Sequence, residues 1–135
     1  MYFCAKLHQT SKNLTKFDEV YNDLLNIMNW KLIETENDFD MAIEKSNSTT
    51  VIVFKHSTRC PVSSMAKRQL ERDWTHSEEK VETYFLDLIR YRDISNYIAI
   101  KSQVIHQSPQ MIVFKNKEVI HHASHHEINA NSIAT

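Results

Sequence analysis

The sequence predicts an α/β domain built on a central mixed β-sheet with helices on both faces. Three observations predict it. Strand-like runs of β-branched and aromatic residues alternate with stretches of helical period, as in crossover units. The last two strand-like runs are separated by only Asn116 and Lys117, so they form a hairpin and make the sheet mixed. Cys60 stands where a strand runs into a helix, the end of such a sheet at which reactive groups collect.

The elements follow in order. Residues 15–28 read as an amphipathic helix: Thr15 caps it, Asp18 stands three residues on, and Phe17, Val20, Tyr21, Leu24, Leu25 and Met28 share a face. Residues 30–33 make a short strand, and Thr35 caps a helix carrying Phe39, Ala42 and Ile43. Residues 51–55 are a buried strand. A helix over 61–74 comes next, with Pro61 in the first turn, where its missing N–H is not needed. Its inner face carries Val62, Met65, Ala66, Leu70 and Trp74; Ser63, Ser64, Lys67, Arg68, Glu71 and Arg72 lie largely on the outer face. Residues 81–87 are strand-like, and Asp93 starts a helix that buries Ile94, Tyr97 and Ile98. Residues 111–115 and 118–122 form the hairpin, and a last short helix begins near Ile128. The chain has no glycine, so any turn that needs positive φ falls to Asn, Asp or another residue, with local strain at Asn116-Lys117.

At 135 residues the chain is a single domain, read as 28–135 with an extension over 1–27. The extension is either a helix packed on the domain or a loosely attached segment, and Met28 could itself start translation. Lys and Arg number 16 against 17 Asp and Glu, so no nucleic-acid footprint and no acidic tail are expected. No run of about 18 apolar residues exists, and the start lacks a basic segment followed by an apolar one, so neither a membrane span nor a signal peptide is expected. Cys4 and Cys60 are far apart and differ in context; a cytoplasmic thiol protein is expected rather than a structural disulfide.

Cys60 carries the expected chemistry. A cysteine there sits over unpaired N–H groups at the positive end of the helix dipole, with Arg59 before it, and both favour the nucleophilic thiolate. Against this stands the plain alternative of a buried cysteine that fills space. Ser63, by composition a surface serine, occupies the place where a dithiol motif carries its second cysteine. Cys60 therefore has no local resolving thiol; Cys4 is the one other cysteine, and a single-thiol mechanism follows. His56 either helps to hold the thiolate or simply ends the strand. Ser108-Pro109 marks an edge or turn before a strand, because proline cannot donate to the ladder. His121 and His122 fall on opposite strand faces, with His125 and His126 in the loop beyond. No carboxylate or cysteine completes a ligand spacing, so solvated or locally hydrogen-bonded imidazoles and no metal are expected.

Three stretches resemble the monothiol bacilliredoxins of the YtxJ type: Phe54-Lys-His-Ser-Thr-Arg-Cys-Pro-Val-Ser63, Ser108-Pro-Gln110 and Phe114-Lys-Asn-Lys-Glu-Val-Ile-His-His-Ala-Ser-His125. The resemblance spans about residues 29 to 135. It implies a thioredoxin-like fold and a Thr-x-Cys-Pro-x-Ser site, matched by Thr58, Cys60, Pro61 and Ser63, with Arg59 at the variable position. It also implies a cis Ser108-Pro109 bond beside Cys60, presenting the Ser108 backbone to substrate. The implied reaction removes bacillithiol from bacillithiolated client proteins: Cys60 attacks the bacillithiol sulfur, releases the client thiol and is reset by another thiol or a partner reductase. Bacillithiol is then a co-substrate and no cofactor is bound. Lys55, Arg59 and Lys67 give the neighbourhood a basic tendency suited to the malate carboxylates of bacillithiol. Departures are the glycine-free hairpin turn and the unmatched segment before Met28. Phe54 stands six residues before Cys60, where thioredoxin-type sites often carry a buried acid, so no proton acceptor of that kind is expected. A peroxiredoxin is a rival, although Ser57 fills the place of its threonine. A non-enzymatic, redox-sensing or binding module of the same fold is another.

Overall fold

The structure is a computed structural model that describes residues 28–133. Its elements are β1 (Trp30–Leu32), α1 (Glu36–Lys45), β2 (Thr50–His56), α2 (Pro61–Arg72), β3 (Val81–Asp87), α3 (Arg92–Ser102), β4 (Gln110–Lys115) and β5 (Glu118–Ser124), followed by two 3-10 turns, His125–Glu127 and Ala130–Ser132. The strands form one mixed sheet in the order β1-β3-β2-β4-β5. β1, β3 and β2 are parallel, and β4 and β5 complete the sheet antiparallel.

Strand alternation divides the core into two layers. Val51 and Val53 of β2, with Ile112 and Phe114 of β4, pack under Phe39 and Ala42 of α1 and Ile94 and Ile98 of α3. Ile52 and Phe54, with Met111 and Val113, face the opposite way, under Leu70 of α2, Trp74, Ile128 and Ile133. β2 is central and buried along its whole length, so whatever its last residues carry is held by both layers. No helix among the described residues is long and apolar enough to cross a membrane.

Local signals explain the element ends. Thr35 Oγ1 accepts from the Asp38 N–H, and the Asp38 carboxylate accepts from the Thr35 N–H, a reciprocal cap that starts α1. α3 ends on Gln103 at φ 58°, and the hairpin turns through Asn116 at φ 51° and Lys117 at φ 67°. Two consecutive left-handed residues match the twist of a two-residue hairpin, here without the usual glycine. The turn is held from outside: the Asn116 N–H donates to the Ser46 carbonyl (2.7 Å) and the Lys117 N–H to Ser46 Oγ (2.8 Å), at the C-cap of α1.

Several expectations are corrected. Met65 is 60% exposed while Ser63 is fully buried, the reverse of their assigned faces. α2 stops at Arg72, and Trp74 is buried beyond its end. Tyr97 is only half-buried, its hydroxyl donating to Asp40 (2.8 Å). The short helix expected near Ile128 is instead a pair of 3-10 turns with Ile128 extended between them; Asn129 caps the second by accepting from the Asn131 N–H. The helix expected over 15–28 falls, Met28 apart, outside the described residues. Met28 itself is buried in the α2-side layer.

Candidate functional site

β2 delivers the chain to the site. After His56 a tight turn runs through Ser57, Thr58 and Arg59, closed by the Cys60 N–H donating to the Ser57 carbonyl (3.2 Å). Cys60 is the N-cap of α2, with an extended backbone (φ −108°, ψ 116°), the conformation that a following proline enforces. Pro61 occupies the first helical position, and the Ser64 N–H donates to the Cys60 carbonyl to begin the helix. The Cys60 thiol is free and partly exposed, and it makes no capping bond. Thr58 is partly exposed and Arg59 exposed.

Ser63 fastens this turn to the sheet. Its Oγ accepts from the buried Ser57 N–H (3.0 Å) and lies 2.7 Å from His56 Nδ1. The Ser63 hydroxyl and the imidazole thus share one hydrogen bond, whose direction follows the tautomer of the ring. His56 packs on Phe54 and Phe85, with ring centroids 6.1 Å and 5.3 Å away. Burial lowers its pKa from the ordinary histidine value. The Lys67 ammonium lowers it further, and Asp87 and Glu71 partly oppose the change. His56 does more than end the strand, and Ser63 is not a surface serine.

The cis-peptide expectation is met: the Ser108-Pro109 bond is cis. β4 pairs with β2 so that Gln110 lies opposite Lys55, and the cis segment therefore continues alongside the end of β2 that leads to Cys60. Pro109 is buried, its carbonyl accepts from the His125 N–H (3.1 Å), and Ser108 Oγ is buried without a partner among the described residues.

The basic surface expected from Lys55, Arg59 and Lys67 reduces to Arg59. Lys67 is paired with Glu71 and lies over the rings of Trp30 and Phe85, while Trp30 Nε1 donates to the same Glu71 carboxylate (2.8 Å). Lys55 is fully buried. Alternation turns it to the α3 side, where Nζ donates to the Ser95 carbonyl (3.0 Å) and meets His106 Nδ1 (3.3 Å). Burial pushes its pKa down from 10.5 to about 8.

That shift sets a pH dependence. The unfolded lysine keeps its proton up to about 10.5, whereas the folded one releases it near 8. The unfolded state thus holds more protons in that window, and stability rises with pH across it. Lys55→Met is expected to stabilise the fold at pH 7 by about 1–2 kcal/mol, because an apolar chain replaces a buried cation. The gain should shrink between about pH 8 and 10.5. Urea unfolding of both proteins at pH 7 to 10 checks it; a less stable variant at pH 7 would show that the bond to Ser95 outweighs burial.

Among the described residues no three histidine, cysteine or carboxylate side chains group as metal ligands. His121 departs from the expected hydrogen-bonded or solvated state, since its Nε2 is buried without a partner among the described residues.

Comparison with known proteins places this geometry. The family described as monothiol bacilliredoxin BrxC matches residues 31–133. A solved structure described as a candidate oxidoreductase with a thioredoxin fold is 32% identical, with a TM-score of 0.66; the match covers 82% of this chain and 93% of that one. Thioredoxin from Malassezia sympodialis is 17% identical (TM-score 0.60, covering 78% and 84% of the two chains). Fasciola hepatica thioredoxin is 16% identical (TM-score 0.57, covering 76% and 90%). These two share the fold alone. A mixed sheet ordered β1-β3-β2-β4-β5, a cysteine capping the helix after its central strand and a match over nearly all the described residues agree: the chain belongs to the monothiol bacilliredoxin family, with a thioredoxin-like fold and a thiol-redox function.

Proposed function

We propose that this protein removes bacillithiol from bacillithiolated client proteins by single-thiol exchange at Cys60. The observation that carries the proposal is a free, partly exposed thiol at the start of α2 with a buried serine at the third helical position. Cys60 attacks the bacillithiol sulfur of the mixed disulfide. A new S–S bond forms, the bond to the client breaks, and the client sulfur leaves as a thiolate with the bonding pair. The first turn of a helix leaves N–H groups unpaired, and those of Val62 and Ser63 favour negative charge on the attacking sulfur. Ser63 offers no sulfur to displace the bacillithiol, so a second thiol from solution or a partner reductase resets Cys60. Bacillithiol is the co-substrate, and no bound cofactor is required.

The main chain at Ser108-Pro109 receives the client, Thr58, Arg59 and Pro61 frame the sulfur, and Arg59 is the cation left to meet a carboxylate of bacillithiol. Residues 28–135 carry the chemistry and 1–27 are an extension to it, working in the cytoplasm with no nucleic acid or membrane as partner.

Intact-mass analysis of the full chain with a bacillithiolated client peptide tests this. The peptide should lose one bacillithiol, Cys60 should gain one, and the adduct should persist until free thiol is added. Ser63→Cys places a second sulfur about one helical turn (~5.4 Å) away. That variant should release bacillithiol unaided and end as an internal disulfide, while Cys4→Ala should behave as wild type. If the peptide keeps its bacillithiol, the protein is a binding or sensing module. If Cys4→Ala stops turnover, the single-thiol mechanism is wrong.

A further inference from the structure

Lys55 and Gln110 stand opposite each other across the β2–β4 pair, on the face turned toward α3. Both are buried, and both reach the segment that runs from α3 to the Ser108-Pro109 bond. Gln110 Nε2 donates to the Ile105 carbonyl (2.9 Å). Lys55 Nζ donates to the Ser95 carbonyl of α3 (3.0 Å) and lies 3.3 Å from His106 Nδ1. Ser95 Oγ lies 3.3 Å from the same His106 nitrogen. Residues 105–107 are otherwise exposed. Among the described residues, Gln110, Lys55 and Ser95 are the side chains that hold them from outside.

We propose that Lys55 is a positioning residue for client binding: through His106 its ammonium fixes residues 105–107, and with them the Ser108-Pro109 main chain that receives the client. The inference rests on that main chain being the client's docking site and adds the group that sets it. An ammonium only donates, so Lys55 bonds to His106 while Nδ1 carries no hydrogen. The imidazolium has no acceptor left and sets a second cation against Nζ, so protonation of His106 undoes the tether. Lys55 of β2 and Arg92 of α3 are the charged groups that act on His106. Together with burial, which acts most, they hold its pKa below the ordinary histidine value. The tether is therefore made at neutral pH and lost as the solution turns acid.

The surroundings suit the task. Among the described residues no carboxylate pairs with Lys55, so its burial works against stability. With a pKa of about 8 it is still charged at pH 7. It can then bond to two elements at once, α3 at Ser95 and the exposed segment at His106. α3 is itself packed on the sheet through Ile94 and Ile98, so the segment is referred to a fixed frame. A methionine at this place fills similar space and can hold neither partner. The Lys55 side chain lies on the face opposite α2, so it acts on the docking segment and not on the Cys60 sulfur.

The test uses the full chain carrying Cys4→Ala, so that Cys60 is the one thiol, and two disulfides without bacillithiol. One is 5,5′-dithiobis(2-nitrobenzoate), which has no main chain to dock. The other is a short peptide whose cysteine is bonded to 2-nitro-5-thiobenzoate. Release of 2-nitro-5-thiobenzoate gives a second-order rate for each, and the ratio of peptide rate to small-disulfide rate cancels whatever alters Cys60 itself. Adding Lys55→Met should lower the ratio at pH 7 on the order of tenfold, because a misplaced docking segment costs rate. The small-disulfide rate should stay within about twofold of the parent. In the parent the ratio should fall between about pH 7 and 5, in step with the His106 titration followed by 15N NMR. In the variant the ratio should be flat across that range, and His106 should titrate higher with one of its two cations gone.

A ratio unchanged by Lys55→Met, or a parent ratio that does not follow His106, overturns the proposal. Should the variant fail to fold, the pH series of the parent decides alone. The docking site is measured separately. Methylating the amide nitrogens that flank the cysteine of the peptide removes its main-chain donors. If methylation slows the peptide and Lys55→Met does not, only the tether is refuted. If neither slows it, the Ser108-Pro109 main chain is not the docking site and both readings fall.

Discussion

Replacing Cys60 by alanine is expected to cut thiol exchange to no more than about a thousandth of wild type. Exchange needs a sulfur nucleophile, and the described residues contain no other cysteine to supply one. The fold should barely notice the change. Cys60 is only partly buried and contributes no side-chain hydrogen bond to its helix, so the loss of stability should be under about 0.5 kcal/mol. The contrast between lost activity and intact folding is the informative result. Release of client thiol and urea unfolding, measured on the same preparation, provide both halves. Residual exchange well above background would move the nucleophile elsewhere in the chain.

Ser63→Ala is expected to do the opposite and weaken the fold. The substitution strands two polar groups that the serine satisfies, the Ser57 N–H and His56 Nδ1, both on buried residues. An unsatisfied buried group costs about 1–3 kcal/mol, so the two together should lower stability by about 2–4 kcal/mol. Ser63→Cys should lose less, since sulfur fills the space and accepts weakly. Urea denaturation at pH 7 measures both. A loss below about 0.5 kcal/mol for alanine would mean that the two bonds contribute nothing net, and Ser63 would return to a passive role. The position opposite the reactive cysteine, a resolving thiol in dithiol relatives, would here be a clamp between β2 and α2.

Much of the architecture was legible because its signals are local. The strand-like run 81–87 matches β3 at both ends, and Thr35 marks the start of α1. The hairpin turn was legible from two polar residues between two apolar runs. The strand-to-helix setting of Cys60 followed from proline at the next position and the change of period. Ser63 was misplaced although its position was informative: it stands three, seven and eleven residues before Ala66, Leu70 and Trp74, on the stripe they share. Met65 stands three residues after Val62 and next to Ala66, at the edge of that stripe, where spacing alone does not separate a buried side chain from an exposed one.

The role of Ser63 could not be read locally at all. It depends on a hydrogen bond across the turn to His56, and only the docking of α2 on the sheet brings the two together. Lys55 shows the same limit. Its own strand reads as buried, but the ammonium is covered because α3 and the 103–109 loop close over that face. Neither segment is near it in the chain, and a lysine at a strand end is ordinarily at the surface.

The glycine-free hairpin turn has a consequence for how the molecule opens. A hairpin tip is normally among the first places where a sheet frays, since its amides face water and nothing distant depends on them. Here the amides of Asn116 and Lys117 are both given to Ser46, a fully buried residue some 70 positions away that ends α1. Two left-handed non-glycine residues are unfavourable by themselves, by roughly 1–2 kcal/mol each. The tip therefore stays closed only while α1 is docked, and it cannot loosen without releasing Ser46. The first helix and the last hairpin are bound into one cooperative unit, and solvent exchange at amides 116 and 117 should report the opening of that unit rather than fraying of an edge.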